Sequence, residues 1–323
     1  MPADEMRMQL PADPEILIVG PGSMGLMHAA LLARAGRHVT LLDHRPERAA
    51  ALSRVGIRVR GAAGDFRVSI PVVSDASDAA SPDLVVFLVK AHSTSAALAH
   101  ARDAFRPDTV LLTLQNGLGN YELLVEFAGS DRVLGGTTSS GAYRPGDGEV
   151  FVAAIGDMRI GGSEVVLPVA DAICALFSDA GLPAQTSDDL QSLLWHKATV
   201  NAGINPLGAL AGVRNGVLLE VPALRLLLRG LVEEAVDVAS RAGVRLDGDM
   251  VAAVEEVACR TAENRCSMLQ DLEASRPTEI RQISGHIAAV GLQQGGSGWL
   301  NETVHKLVEA AECRWHGAET EQT

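Results

Sequence analysis

A glycine-rich turn with an apolar run before it and a helix-forming segment behind it leaves a chain few ways to fold. Ile16-Leu17-Ile18-Val19 is a short continuous apolar run, as expected of a strand buried on both faces, and it leads into Gly20-Pro21-Gly22-Ser23-Met24-Gly25. Leu26 to Ala35 has helix-forming composition and stops at Gly36; His38 to Leu42 supplies a second strand, closed by Asp43. Strand, G-x-G-x-x-G, helix, strand and an acid about 20 residues beyond the turn together predict a dinucleotide-binding unit of the Rossmann type, with a mostly parallel sheet. In it Gly20 permits the tight turn, Gly22 the approach of backbone to pyrophosphate and Gly25 the helix contact, while Ser23 and Met24 open the helix whose N-terminus faces the phosphates. A glycine turn in some other α/β protein is the plainer alternative.

Two further buried-type strands follow, Leu84 to Val89 before Lys90, and Val110 to Leu114 before Gln115-Asn116-Gly117. Ligands of open parallel sheets lie beyond the carboxyl ends of the strands, which places Lys90 and Asn116 where a dinucleotide and its substrate meet. The bland readings are a solvated strand-end lysine and an ordinary Asn-Gly turn. Short β-type runs at Phe151 to Ile155 and Arg159-Ile160, with an amphipathic stretch from Val165 to Ala180, extend the sheet. Ser187-Asp188-Asp189 offers N-cap residues for a long helix. The expected division is a disordered extension over 1–13, a dinucleotide-binding domain over 14–186 and an all-α domain over 187–323.

The second half is 3.6-periodic, with helices expected near 188–205, 222–242, 247–273 and 277–294 and a last one after Gly298. In the first of these Lys197, Asn201 and Asn205 recur at intervals of four, stacking one ammonium and two carboxamides on one face among Leu194, Val200, Ile204 and Leu207. Burying that strip is costly unless something polar lies opposite, so it reads as a substrate wall with an acid in it. Asn264, Ser267 and Asp271 share a second face, for which a solvated surface is the alternative. Glu279 follows Arg276-Pro277-Thr278 in what reads as a first helical turn, where simple charge compensation by the macrodipole would also account for it.

Composition narrows the partners. With 27 Lys and Arg against 40 Asp and Glu the net charge is −13, so there is no basic footprint for nucleic acid or anionic lipid, and small molecules are the expected partners. Cys174, Cys259, Cys266 and Cys313 show no metal-ligand spacing, and Cys259 and Cys266 would lie roughly 10 Å apart on one helix, too far for a disulfide. Reduced thiols, no membrane-length apolar run and no signal-like N-terminus point to a cytoplasmic protein without a metal. The Leu218 to Leu228 stretch is compatible with a homodimer interface and equally with core.

From Ile16 to about Val308 the chain resembles the 2-dehydropantoate 2-reductases (ketopantoate reductases). The glycine turn, Gln115-Asn116-Gly117, Trp195 to Leu210, and Asn264 to Ile280 with Ser267-Met268-Leu269-Gln270-Asp271 carry the resemblance. It implies NADPH-dependent reduction of 2-dehydropantoate to pantoate, a step toward pantothenate and coenzyme A. Lys197 then matches the general acid and Glu279 the residue that orients it and holds the substrate hydroxyl. Asn116, Asn201, Asn205, Asn264 and Ser267 match the residues that grip the substrate, and Lys90 and Asn116 lie near the cofactor. Three departures stand out: Arg281 replaces a usual acid, Trp299 a usual proline, and Asp43-His44 occupies the place of a phosphate-clamping arginine. NADP(H) is the cofactor by resemblance. Asp43, however, is an acceptor for ribose hydroxyls that repels a 2′-phosphate, while His44, Arg45 and Arg48 together supply positive charge, the alternative being a rotated Asp43 that pairs with one of them; the expectation is NADH use at least comparable to NADPH. Competing readings are a paralogue acting on another 2-oxo acid or an imine, and a non-catalytic dinucleotide sensor.

Overall fold

The computed structural model describes residues 9–317, with side chains to residue 313. Two compact units divide the chain, one of residues up to Gln115 with Asn120–Leu190, the other of Asn116–Gly119 with residues from Gln191 onward. The division falls at 190/191, a few residues beyond the expected 186/187, and the four-residue segment after Gln115 groups with the second unit. Residues 1–8 of the expected extension lie outside the described residues; of the rest, Leu10 packs against the core of the first unit and Asp13 pairs with His38 at 3.1 Å.

The first unit runs β1 (Ile16–Val19), α1 (Ser23–Arg34), β2 (Val39–Leu42), α2 (Pro46–Val55), β3 (Ile57–Gly61), β4 (Phe66–Val68), β5 (Val72–Val73), β6 (Leu84–Phe87), α3 (Thr94–Ala101), β7 (Val110–Thr113), α4 (Asn120–Ala128), β8 (Val133–Thr138), β9 (Gly141–Gly146), β10 (Glu149–Ala154), β11 (Met158–Gly162), α5 (Leu167–Asp179) and β12 (Ala184–Thr186). Eight strands form one sheet in the order β12-β11-β8-β7-β6-β1-β2-β5, in which only the β11/β8 pair is antiparallel. Alternate side chains of β1 serve two cores, because successive residues of a strand point to opposite faces: Ile16 and Ile18 join the cluster containing Leu26, Ala30 and Phe177, and Leu17 and Val19 the one containing Phe87, Leu98 and Leu124. That double burial is why these strands are unbroken apolar runs.

One expectation is corrected. The run at Phe151 to Ile155 does not extend the main sheet; β10 belongs to a second sheet of order β4-β3-β10-β9, parallel to β3 and antiparallel to β9. The alternation Ile57-Arg58-Val59-Arg60 is the half-buried pattern of such a strand, with Ile57 and Val59 fully buried and the arginines turned outward.

The second unit is helical: α6 (Leu190–Ala211), α7 (Val217–Glu220), α8 (Pro222–Arg241), α9 (Met250–Arg260), α10 (Ser267–Glu273), α11 (Ser284–Gln293) and α12 (Trp299–Gly317). α6 continues past Pro206, which lies inside it. The helix expected over 247–273 is broken between α9 and α10. The carbonyls of Ala262 and Asn264 there accept from the backbone N–H groups of Gly216 and Asn215, and the Cys266 sulfur caps α10 by accepting from Leu269 N–H. The helix expected from 277 begins only at Ser284, because Thr278 Oγ1 accepts from Ile280 N–H and closes a separate 3-10 turn over Ile280–Gln282. Leu218 and Leu228 are core, whereas Leu226 and Leu227 are exposed.

Gly25 ties the glycine turn to the fold, since a Cβ there would overlap the Gly20 carbonyl oxygen. Gly25→Ala is therefore expected to lower the denaturation midpoint by an amount corresponding to about 1 to 3 kcal/mol, measured by urea unfolding, as overpacking against backbone generally does.

Candidate active site

The nucleotide end of the site lies wholly in the first unit. Gly20 sits at φ +108°, a conformation L side chains avoid, and a Cβ on it would come within 2.6 Å of Val89 Cγ1. A Cβ on Gly22, by contrast, would meet nothing closer than 3.9 Å, so the backbone there is open to approach. Gly22 is the N-cap of α1, no side chain caps the helix, and no acid stands in its first turn. Four backbone N–H groups at a helix start need acceptors, and together with the positive end of the macrodipole they favour an anion. Ser23 and Met24, both half-buried, are the first two residues of that turn. These features fit a dinucleotide pyrophosphate.

At the end of β2 the structure departs from the expectation. Asp43 is fully buried, and its carboxylate is gripped by Arg48, whose Nη2 donates to Oδ1 at 2.7 Å while Nε donates to Oδ2. Arg45 N–H adds a third bond to Oδ1 at 3.2 Å. A free acceptor for ribose hydroxyls is thus not what Asp43 presents. The Arg45 side chain (53% exposed), the His44 ring (73% exposed) and the exposed Glu47 of the first turn of α2 meet solvent there.

Lys90, half-buried, follows β6 and opens the short 3-10 turn Ala91–Ser93. Its loop is anchored by a buried network that the sequence reading missed. Gln115 Nε2 donates to Val89 O at 2.9 Å and to Thr94 Oγ1 at 2.8 Å; Thr113 Oγ1 donates to Gln115 Oε1 at 3.0 Å; Thr94 Oγ1 lies 2.9 Å from Asn120 Oδ1. These bonds tie the end of β7 to the loop after β6.

The second unit holds the proton-bearing groups. Lys197, Asn201 and Asn205 fall on one face of α6, with Asn205 buried and the other two half-buried. Burial pushes the Lys197 ammonium from its ordinary 10.5 down to about 8, and the Glu279 carboxylate opposes the fall. Glu279 is itself buried and accepts from Asn116 Nδ2 at 3.1 Å. Asn116 is held in place by its neighbours: Leu118 N–H donates to Gln282 O at 2.7 Å, and a Cβ on Gly117, at φ +85°, would collide with the Gln282 backbone. The Asn-Gly turn thus serves to deliver an amide to Glu279. Glu279 precedes a 3-10 turn of three residues rather than a helix, so the macrodipole account of its charge falls away.

Asn264 and Ser267 are both exposed, the first in the turn before α10 and the second at its start, while Asp271 is buried and paired with Arg276 at 3.2 Å. Asn264 lies outside the helix, so of the three only Ser267 and Asp271, four apart in α10, share one face. Arg281 bonds Glu309 at 2.7 Å and Trp299 is 74% exposed, so neither departure falls among the buried groups around Glu279. Among the described residues no cluster of His, Cys, Asp and Glu could hold a metal, all four cysteines are free, and no helix is long and apolar enough to cross a membrane.

Comparison with known proteins gives the family. The family model described as ketopantoate reductase PanE/ApbA matches residues 16–164, and that of its C-terminal part matches residues 189–312. The chain belongs to the ketopantoate reductase family. Among its relatives, the 2-dehydropantoate 2-reductase of Halobacterium salinarum is 38% identical over 84% of this chain and 90% of its own length. That of Archaeoglobus fulgidus is 34% identical over 92% and 97%. The crystal structure of a PanE/ApbA family ketopantoate reductase from Ralstonia eutropha superposes with a TM-score of 0.86 at 29% identity, covering 94% of this chain and 99% of the other. The ternary structure of D-mandelate dehydrogenase with NADH and anilino(oxo)acetate gives 0.87 at 25% identity over the same shares.

In this ketopantoate reductase family member the Lys197 pKa is expected to be measurable without turnover. With lysines reductively methylated using a carbon-13 label, the Lys197 resonance should titrate near 8 and move to lower pH in Glu279→Gln, since removing a neighbouring negative charge disfavours the ammonium. A midpoint at the ordinary lysine value would contradict the burial argument.

Proposed function

We propose that this chain reduces 2-dehydropantoate to pantoate with a nicotinamide dinucleotide, Lys197 acting as general acid and Glu279 as the group that orients it. The observation that carries this reading is the pairing of a desolvated ammonium, Lys197, with a buried carboxylate, Glu279, that Asn116 holds. Membership of the family and the names of the two archaeal relatives support the substrate.

The dinucleotide, held by the Gly20 to Gly25 turn, would supply a hydride to C2 of the oxo acid. Everything else falls to side chains. Lys197 Nζ donates a hydrogen bond to the carbonyl oxygen and then its proton, so that an N–H bond breaks, an O–H bond forms and the amine is left neutral. With its pKa near 8 the ammonium is still mostly protonated at neutral pH, yet it is about two orders of magnitude more acidic than an ordinary lysine. Asn201 and Asn205, one and two turns further along the same face, bring carboxamides that donate to the substrate carboxylate or hydroxyl, with Asn264 and Ser267 as further candidates. Glu279 accepts from the ammonium and from a substrate hydroxyl, fixing Lys197 in its donating position.

A second reading has its own observation. The similarity to D-mandelate dehydrogenase, whose solved complex contains NADH and an oxo acid with an aromatic substituent, favours a 2-oxo acid other than 2-dehydropantoate. Both readings use the same acid. Steady-state kinetics on 2-dehydropantoate, benzoylformate and branched 2-oxo acids separate them: the highest kcat/KM on 2-dehydropantoate supports the first, and a preference of tenfold or more for another acid replaces it.

Two outcomes test the mechanism. Lys197→Ala is expected to cut kcat by ~10² or more while leaving the circular dichroism spectrum intact, in line with what general acids contribute. For the unmodified protein, log kcat/KM should fall as pH rises through about 8, because the acid must be protonated and the free enzyme's ionisation is what this constant reports. A profile flat to pH 10 would remove Lys197 from the role.

A further inference from the structure

The segment that carries Glu279 is a small closed turn. The Glu279 carbonyl accepts from the N–H groups of Gln282 and Ile283, both at 3.1 Å, and Thr278 Oγ1 accepts from Ile280 N–H at 3.2 Å. Two hydrogen bonds tie this turn to residues outside it. At its far end the Gln282 carbonyl accepts from Leu118 N–H at 2.7 Å; at its near end Thr278 N–H donates to Oε1 of the half-buried Glu312, on α12, also at 2.7 Å. Thr278 is buried, so its N–H has little access to water if that carboxylate is withdrawn. Ile280 is fully buried too, but apolar burial is non-directional and sets the depth of the turn without fixing its rotation. A second link from α12, Glu309 to Arg281 at 2.7 Å, counts for less: the Arg281 side chain is 70% exposed, and Glu309 is shared with His305 at 3.3 Å and Lys306 at 3.1 Å.

Resting on the mechanism above, we infer that Glu312 is a positioning residue of the reaction: by holding Thr278 N–H it sets the rotation of the turn, and with it the place of the Glu279 carboxylate beside Lys197. The effect runs through the backbone, since Thr278 is the residue next to Glu279. Released from Glu312, the near end of the turn is free to swing about the Leu118 bond, and the carboxylate moves with it. Lys197 then loses the charge that supports its ammonium, so its pKa falls further. The turn needs an acceptor at this point rather than a charge, and a carboxamide oxygen supplies one. Nothing local in the sequence marks the link: Thr278 and Glu312 are 34 residues apart, and Glu312 reads as one more acid on a polar helix face.

The test compares Glu279→Gln, Glu312→Ala, Glu312→Gln and the double variant Glu279→Gln/Glu312→Ala by kcat on the preferred oxo acid, by titration of carbon-13-methylated Lys197 and by urea unfolding. Glu312→Ala is expected to lower kcat about tenfold, inside the ~10² that a misplacement of about 1 Å can cost, and to move the Lys197 midpoint below 8, the direction expected of Glu279→Gln. Glu312→Gln should keep kcat within about twofold and the midpoint in place, because its amide oxygen still accepts from Thr278 N–H. In the double variant the two losses should not multiply, since with Glu279 gone the placement of its side chain no longer matters. Should Glu312→Ala fail to fold, Glu312→Met, similar in length and without a strong acceptor, takes its place. A folded Glu312→Ala that lowers the urea midpoint but moves neither kcat nor the Lys197 titration, or losses that multiply in the double variant, overturns the role of Glu312 alone. A Glu279→Gln protein that moves neither overturns the mechanism, and this inference with it.

Discussion

An ammonium and a carboxylate taken out of water together impose the tightest condition on the second unit. Either one alone would be an uncompensated buried charge, and together they gain little net stability, since desolvation offsets most of their attraction. The lowered pKa of Lys197 shows which effect wins: desolvation outweighs the pull of Glu279. The surroundings make sense as support for that pair. Asn116 donates to Glu279, the Leu118 N–H and the glycine at 117 lock Asn116 against Gln282, and α6 sets the lysine one turn before Asn201. A costly pair that is so thoroughly braced is the feature on which the proposed proton transfer rests.

At the glycine turn of the first unit donors are left open instead of charges being enclosed. α1 begins on a glycine with no capping side chain, and its first turn carries no acid. Two other helix starts are closed by carboxylates, Asp249 accepting from Ala252 N–H at α9 and Glu234 from Leu300 and Asn301 N–H groups at α12, whereas α2, α5 and α8 are without a capping side chain, as α1 is. What suits the start of α1 to an external anion is the open glycine turn before it, where a Cβ on Gly22 would meet nothing closer than 3.9 Å. The Gln115, Thr94, Thr113 and Asn120 network then fixes the strand ends beside it, and being fully buried it depends on every member finding a partner.

Much of this could be read from the chain. The glycine turn, the buried strands and the Lys197, Asn201, Asn205 face were legible because each rests on a local rule: a sterically required glycine, double burial, or helical period. What failed were statements that depend on partners distant in sequence. The periodicity of 247–273 looks continuous, yet the backbone of Asn215 and Gly216 draws the carbonyls of Ala262 and Asn264 out of the helix. Thr278 closes a turn that Pro277 alone seemed to open, and Phe151 pairs with a strand nearly a hundred residues earlier. The β3 alternation was readable and was passed over. For the Gln115 network the only local signal is an excess of polar residues at strand ends.

Asp43 and Glu279 make the same point in chemical terms. Both are buried carboxylates with a basic partner, and the identity of that base separates their functions. Arg48 binds with two parallel donors, so the Asp43 pair is a fixed element whose effect is to neutralise and to shape. Lysine is a compact ammonium whose pKa yields to burial, so the pair of Lys197 and Glu279 can release a proton where a reaction needs one. Exchanging the two bases would retain both charges and change both arrangements: a lysine at 48 would hold Asp43 by a single point of contact, and an arginine at 197 would bring a planar fork in place of a compact ammonium. Charge count alone, which is all that composition reports, therefore says least at the two positions where charge matters most.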